Sequence, residues 1–314
     1  MSVITPQLGP DHRKARAARF SIASNTTLIA LKVVAGVLTG SVAIITEAVH
    51  SAVDLVASIV AYFSVRKAEE PADRSHPYGH EKVENLAAAI EGLLIVLGAA
   101  IIIYEAIGKL SEGAKVEKLG IGIAVIGLSA AVNFGISGYL YRQAKLTDSP
   151  ALEGDAAHLR TDAITSLGVL VALALVAITG VQEIDAVAAL VVACAIVFAG
   201  VRLVSRSSRV LVDEALPDDE LARIGEAIEG HGAPEVIGYH KLRARRAGSR
   251  RYIDLHVQFS RGTSLERAHQ LSHELQQAIR SRIGGADVLI HLEPEDALEP
   301  REPGPLDAPR APVR

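Results

Sequence analysis

The chain has 314 residues, 49% of them hydrophobic, and a formal net charge of −4. Its mean hydropathy of +0.28 is high for a soluble domain, and the acidic balance excludes a nucleic-acid binder that relies on bulk positive charge. The single cysteine, Cys194 in an apolar run, excludes an internal disulfide framework and a thiolate zinc cluster.

Residues 1–20 form a cytoplasmic N-terminal segment carrying "DHRKARAAR" ahead of the first apolar run. No small-residue cleavage site follows that run, so it reads as an anchor rather than a removed leader. Six apolar spans follow, near 21–40, 43–64, 85–107, 119–141, 153–178 and 184–204. Each has the length of about 20 residues that crosses a hydrocarbon layer of roughly 30 Å. Together they predict a membrane all-α, six-helix transmembrane domain over 21–212. With the N-terminus inside, ten lysines and arginines face the cytoplasm (Arg13, Lys14, Arg16, Arg19, Arg66, Lys67, Arg74, Lys82, Arg142, Lys145) against three outside (Lys109, Lys115, Lys118). That asymmetry places both termini in the cytoplasm of a multi-pass protein of the inner (plasma) membrane.

From 213 the character changes. "PDDELARIGEAIEGHG" predicts a helix, with Pro217 at its start and Gly232 after it. "VIGYHKLRARRAG" and "RYIDLHVQFS" alternate as strands joined at "AGS". "SLERAHQLSHELQQAIRSRI" has Ser264 as N-cap and ends at "GG", and "ADVLIHLEP" is a last strand. The order α-β-β-α-β predicts a cytoplasmic α+β domain over 213–295, ferredoxin-like or metallochaperone-like. The Pro-, Arg- and Asp-rich tail, 296–314, reads as disordered.

The second and fifth spans are the least apolar and carry the chemistry. In "TEAVHSAVDL", His50 and Asp54 are four apart and share one helix face, with Glu47 a turn earlier. "GDAAHLRTDA" repeats the pattern with Asp155, His158 and Asp162. One such triple could be a capped or interfacial helix end. Two matched copies point to a shared partner, because ionisable groups inside a membrane face the bundle interior and are paired. Two imidazoles and two carboxylates form a four-coordinate site of the kind zinc accepts, and a divalent ion neutralises both acids. Metal binds only deprotonated donors, so loading releases protons and protonation releases metal. Glu47 and Asp155 are open between two roles: outer partners that orient the histidines, or cap residues. Arg160 lies between His158 and Asp162 but points about 160–200° away from them.

These stretches resemble the cation diffusion facilitator family. The matches are "GSVAIITEAVHSAVDL", "PADRSHPYGHEKVENLAA", "AHLRTDAITS" and "DEALPDDE", in the family's order, within a resemblance that runs from about residue 12 to 295. The resemblance implies a homodimeric metal(II)/proton antiporter of the zinc type in the lipid bilayer, exporting Zn2+ by alternating access, with no nucleic-acid partner. It implies a transport site of His50, Asp54, His158 and Asp162, and a loop site of Asp73, His76 and His80. It implies a cytoplasmic regulatory zinc site at the dimer interface, formed by His240, His256, His269, His291 and Glu293. Glu293 departs from the family pattern, which has Asp there. Lys82 and Asp213 match a charge pair that the family places where the membrane and cytoplasmic parts meet.

Rival readings are the same fold exporting Fe2+, Mn2+, Co2+ or Cd2+, an intramembrane zinc-dependent hydrolase, and a metal sensor without transport. A hydrolase needs an open coordination position, which four matched ligands fill. A sensor leaves the ionisable groups in two spans without a role.

Overall fold

The structure is a computed structural model that describes residues 12–39, 42–112, 120–179, 181 and 183–295. The tail expected to be disordered lies outside these residues. The chain divides after Arg209 into two compact units.

The first unit is built from long helices: α1 (His12–Thr39), α2 (Val42–Ala68), α3 (Lys82–Glu112), α4 (Gly120–Thr147), α5 (Pro150–Thr179) and α6 (Glu183–Leu211). Each contains one of the six apolar spans. At about 1.5 Å per residue each helix is roughly 40 Å long or more, beyond the thickness of a hydrocarbon layer. On composition, the stretches Lys82–Gly108 in α3 and Ala186–Leu211 in α6 stand out among the described residues, each reaching a mean hydropathy of 2.6. The other helices are diluted by polar groups they bury, among them Lys14, Lys32, Asp54, Asp155 and His158.

The outer surface is apolar instead. On α3, Leu86, Ile90, Leu93, Leu97, Ile101 and Tyr104 are all exposed. They recur every three or four residues and so form one stripe. A continuous apolar face of this kind suits hydrocarbon rather than water. Inside, small side chains let the helices approach closely. Ala17, Ala18, Ala87, Ala144, Ala151 and Ala156 pack with Val65, Leu140, Leu152 and Leu159. Between α3 and α6 the contact is tighter still. A Cβ added to Gly92 would lie 2.7 Å from a Val204 methyl and 3.1 Å from the Gly200 carbonyl oxygen.

The α4–α5 joint is two residues long. Asp148 takes a left-handed conformation (φ 49°), Ser149 caps α5 by accepting from the Leu152 N–H at 3.4 Å, and Pro150 occupies the first helical position.

The second unit contains α7 (Asp218–Glu229), β1 (Val236–Ala247), β2 (Arg250–Phe259), α8 (Leu265–Arg282) and β3 (Ala286–Pro294), the order read from the sequence. The sheet order is β1-β2-β3, with β1 and β2 antiparallel and β2 and β3 parallel. The hairpin turns at Gly248 (φ 53°) between the paired Ala247 and Arg250. Ser264 caps α8 by accepting from the Arg267 N–H. Ile253, Leu255 and Val257 of β2 meet Ile224 and Ile228 of α7 and Leu271, Leu275 and Ile279 of α8 in one core. Both helices therefore cover one face of the sheet and leave the other open.

Candidate metal centre

In the helical unit, α2 supplies Asp54 while α5 supplies His158 and Asp162. Nε2 of His158 lies 3.2 Å from Oδ1 of Asp54 and 3.8 Å from Oδ2 of Asp162. Asp54 and His158 are buried, at 4% and 7% exposure, and Asp162 is half-buried. One donor atom from each falls within 4.8 Å of the others, close enough for a single ion to draw them in. His50 precedes Asp54 by one turn of α2. Its side chain, and that of Glu47, lie outside the described residues.

Around this cluster runs a polar network. Ser58 of α2 donates to Oδ1 of Asp155 at 2.8 Å. Asn25 Nδ2 donates to the Ser58 hydroxyl at 2.9 Å, and the Ser21 hydroxyl lies 3.0 Å from it. Asp155 is thus fully buried and tied through Ser58 to α1 as well as α2. Lys32 Nζ, buried in α1, donates to Ser51 Oγ at 2.7 Å, next in sequence to His50. Glu91 of α3 occupies the space left by Gly154, whose added Cβ would lie 2.8 Å from the Glu91 Oε2. Both Glu91 carboxyl oxygens are buried without a hydrogen-bond partner among the described residues. Sequence reasoning passed over Lys32, Ser58 and Glu91. The signal was present for two of them, since "LIALKVV" and "AAIEGLL" each hold a lone ionisable residue in an apolar run.

The loop between α2 and α3 folds around Asp73. Its Oδ1 accepts from the Ser75 N–H (2.8 Å), the Ser75 hydroxyl (2.7 Å) and the His76 N–H (2.7 Å). The Ser75 hydroxyl, then the backbone N–H of His76, hold this carboxyl well below its ordinary range. Nε2 of His80 sits 3.3 Å from Oδ2 of Asp73, and the His76 and His80 rings are 4.5 Å apart. A spacing that says little in sequence is therefore brought together as one group.

In the cytoplasmic unit a bulge aligns the histidines. The register shifts between His240 and Arg243 of β1, where Lys241 has φ 49°. His240 then pairs with His256, and His256 with His291 of β3. The three form a row on the open face of the sheet. Neighbouring rings are 5.3 Å and 4.6 Å apart. Glu293 reaches into the row: His256 Nδ1 is 2.5 Å from Oε1, and His240 Nε2 is 3.2 Å from Oε2. Burial pushes the Glu293 carboxyl up, but the His256 hydrogen bond and the charges of His240, His256 and His291 outweigh it and leave the group below its ordinary value. His269 stands apart from the row within one chain, because α8 covers the opposite face of the sheet.

Lys82 opens α3. Asp213 has φ 62° and accepts from Arg245 Nη1 at 3.0 Å. Arg160 is exposed and lies over the Phe134 ring, 5.7 Å from its centroid, on the side of α5 away from the metal cluster.

Comparison with known proteins matches both units. The cation efflux transmembrane domain matches residues 18–212, and the cytoplasmic domain of cation efflux proteins matches 216–295. The cation-efflux pump FieF of Serratia proteamaculans is 34% identical over 278 residues, 88% of this chain and 92% of that one. An uncharacterized transporter of Synechocystis, sll1263, is 34% identical over 277 residues, 88% of this chain and 89% of that one. Among solved structures, the metal-bound C-terminal domain of the CzcD transporter from Thermotoga maritima is 26% identical and covers 27% of this chain and 100% of that one, with a TM-score of 0.24.

Proposed function

The chain belongs to the cation efflux (cation diffusion facilitator) family, and on that premise we propose that it exports a divalent metal ion, zinc first among them, in exchange for protons. It is a membrane transporter of cations and not an enzyme. In this reading α1–α6 cross the inner membrane with both termini in the cytoplasm, and two copies act as a homodimer.

The observation that carries the reading is the buried cluster of Asp54, His158 and Asp162 between α2 and α5. His50, a turn before Asp54, is the fourth donor. Two carboxylates and two imidazoles around a divalent ion make a neutral, four-coordinate site that a low-dielectric bundle tolerates. The same donors couple ion to proton. A site open to the cytoplasm binds metal by releasing protons, and a site open to the outside takes protons and releases metal. Histidine titrates in the range where this exchange runs near neutral pH.

The loop group of Asp73, His76 and His80 serves as a minor site. The row of His240, His256 and His291 with Glu293 holds the regulatory ion, at the face where two cytoplasmic units meet.

The test is zinc uptake into proteoliposomes with counterflow of protons, followed by internal metal and pH dyes. Asp54→Asn is expected to abolish both signals while the protein still inserts. Undiminished uptake by this variant would overturn the assigned site. Competition by cadmium, manganese, iron and cobalt in the same assay ranks the ions.

A further inference from the structure

Two glutamates of α3, Glu84 and Glu91, lie seven residues apart in the sequence, which puts them two turns apart on one side of the helix. Both are buried, at 2% and 0% exposure, and both point towards the start of α5, at Ser149 and Gly154. Their surroundings differ. Glu84 has a partner on each oxygen: Lys14 Nζ donates to one and the Ser149 hydroxyl to the other. Both oxygens of Glu91 are without a hydrogen-bond partner among the described residues.

The fold keeps room for this bare carboxyl. A Cβ added at Gly154 would lie 2.8 Å from Glu91 Oε2 and 3.2 Å from its Cδ, so the carboxyl rests against the α5 backbone only because residue 154 is glycine. Asp155 follows directly. It is near enough for its charge to act on Glu91. Ser58 donates to Oδ1 of Asp155, so of the two carboxyls Glu91 is the one with no bond to break. Gly154 precedes His158 by one turn of α5, about 6 Å along the axis. In the topology proposed above, Glu91 therefore lies on the cytoplasmic side of the metal cluster.

An ionised carboxylate buried without a donor is costly, and a protonated one much less so. A carboxyl that served only to join helices would be bonded, as Glu84 is. A divalent ion entering the cluster adds positive charge close to Glu91, so the ion and a proton on Glu91 weaken each other's binding by the same factor. We propose that Glu91 is a proton-carrying residue of the exchange. It holds a proton while the cluster is empty. As the ion enters from the cytoplasm, the O–H bond of Glu91 breaks and the proton passes to water on the cytoplasmic side. As the ion leaves on the other side, a proton arriving through the cluster restores that bond. One proton of each cycle thus rides on a group that does not touch the metal. The inference rests on the antiport reading for its place in the cycle, and goes beyond it by moving a proton off the metal donors.

Glutamine keeps the shape of Glu91 but has no proton to release, so Glu91→Gln is the test. Purified full-length protein in detergent, weakly buffered near neutral pH, is saturated with zinc, and the protons released are counted with a pH dye. Glu91→Gln is expected to release about one proton fewer per chain than the wild type for the same zinc bound. Glu91→Asp is expected to restore that proton, although its shorter side chain fills the space against Gly154 less well. An unchanged count in Glu91→Gln at equal zinc overturns the proposal. Infrared difference spectra between zinc-loaded and zinc-free protein give an independent reading. The carbonyl band of a protonated carboxyl is expected to fall on loading in the wild type and to fall less in Glu91→Gln; equal losses in the two reject the proposal. In proteoliposomes, Glu91→Gln is expected to move fewer protons per zinc. Zinc uptake by the wild type without any proton counterflow defeats the antiport reading, and the count in detergent then decides the role of Glu91 by itself.

Discussion

Ser58 shows what a single hydroxyl does inside the bundle. It accepts from Asn25 and donates to Asp155, so it joins three helices at the edge of the metal cluster. Ser58→Ala removes that donor from a fully buried carboxylate. The expected loss is about 1–3 kcal/mol, read as a lower melting temperature of the purified protein in detergent. Ser64→Ala is the control, because among the described residues the Ser64 hydroxyl bonds to the Ala61 carbonyl of its own helix. Glu91 is the opposite case. Its buried oxygens have no hydrogen-bond partner among the described residues, so Glu91→Gln is expected to leave the melting temperature unchanged or raise it; a marked fall would mean that its carboxyl is held by a partner. The matched His and Asp spacing in two spans made the site legible in sequence. The serine network was not legible, for a physical reason. Thr26, Thr27, Thr161 and Thr165 carry the same kind of hydroxyl in the same kind of helix, yet each bonds to the carbonyl four residues back. Composition does not separate a hydroxyl that closes on its own helix from one that reaches across.

At the scale of elements, apolar density located all six long helices but not their ends. α1 begins at His12, well before the apolar run, because Ala15, Ala17 and Ala18 bury one face of an otherwise basic segment. Strand alternation likewise found β1 but not the bulge at Lys241, because the bulge is defined by the pairing with β2, which the sequence of β1 alone does not show. That residue brings His240 opposite His256. The close crossing of α3 and α6 yields a sharper expectation. A side chain at Gly92 meets the Val204 backbone nitrogen at 3.0 Å and the Gly200 carbonyl oxygen at 3.1 Å, and backbone atoms cannot rotate away. Gly92→Val is expected to force the helices apart at a loss of about 1–3 kcal/mol. Gly98→Val, where an added Cβ meets nothing within 4 Å, is expected to be tolerated. Equal melting temperatures for the two variants would show that α3 and α6 do not depend on this contact.

Across the whole molecule, the helical unit buries charged groups both as an ion pair and in the metal cluster. Lys14 pairs with Glu84 at 2.8 Å, and Ser149 donates to the other oxygen of the same carboxylate. In the cluster, two carboxylates, Asp54 and Asp162, share the single described imidazole of His158. Like charges held this close in a low-dielectric site are costly. A divalent ion offsets both and joins α2 to α5. Because an ion that binds the folded chain stabilises it by mass action, zinc at 100 times its Kd adds about 2.7 kcal/mol. The melting temperature is therefore expected to rise with zinc and fall back with EDTA. The cytoplasmic donors add their own share, so the decisive comparison is made in a chain carrying His240→Ala, His256→Ala and His269→Ala. There the remaining rise is assigned to the helical unit, and adding Asp54→Asn is expected to remove most of it. A zinc-dependent rise that survives Asp54→Asn in that background would place the stabilising ion elsewhere, and the buried cluster would lose its claim to be the ion's path through the membrane.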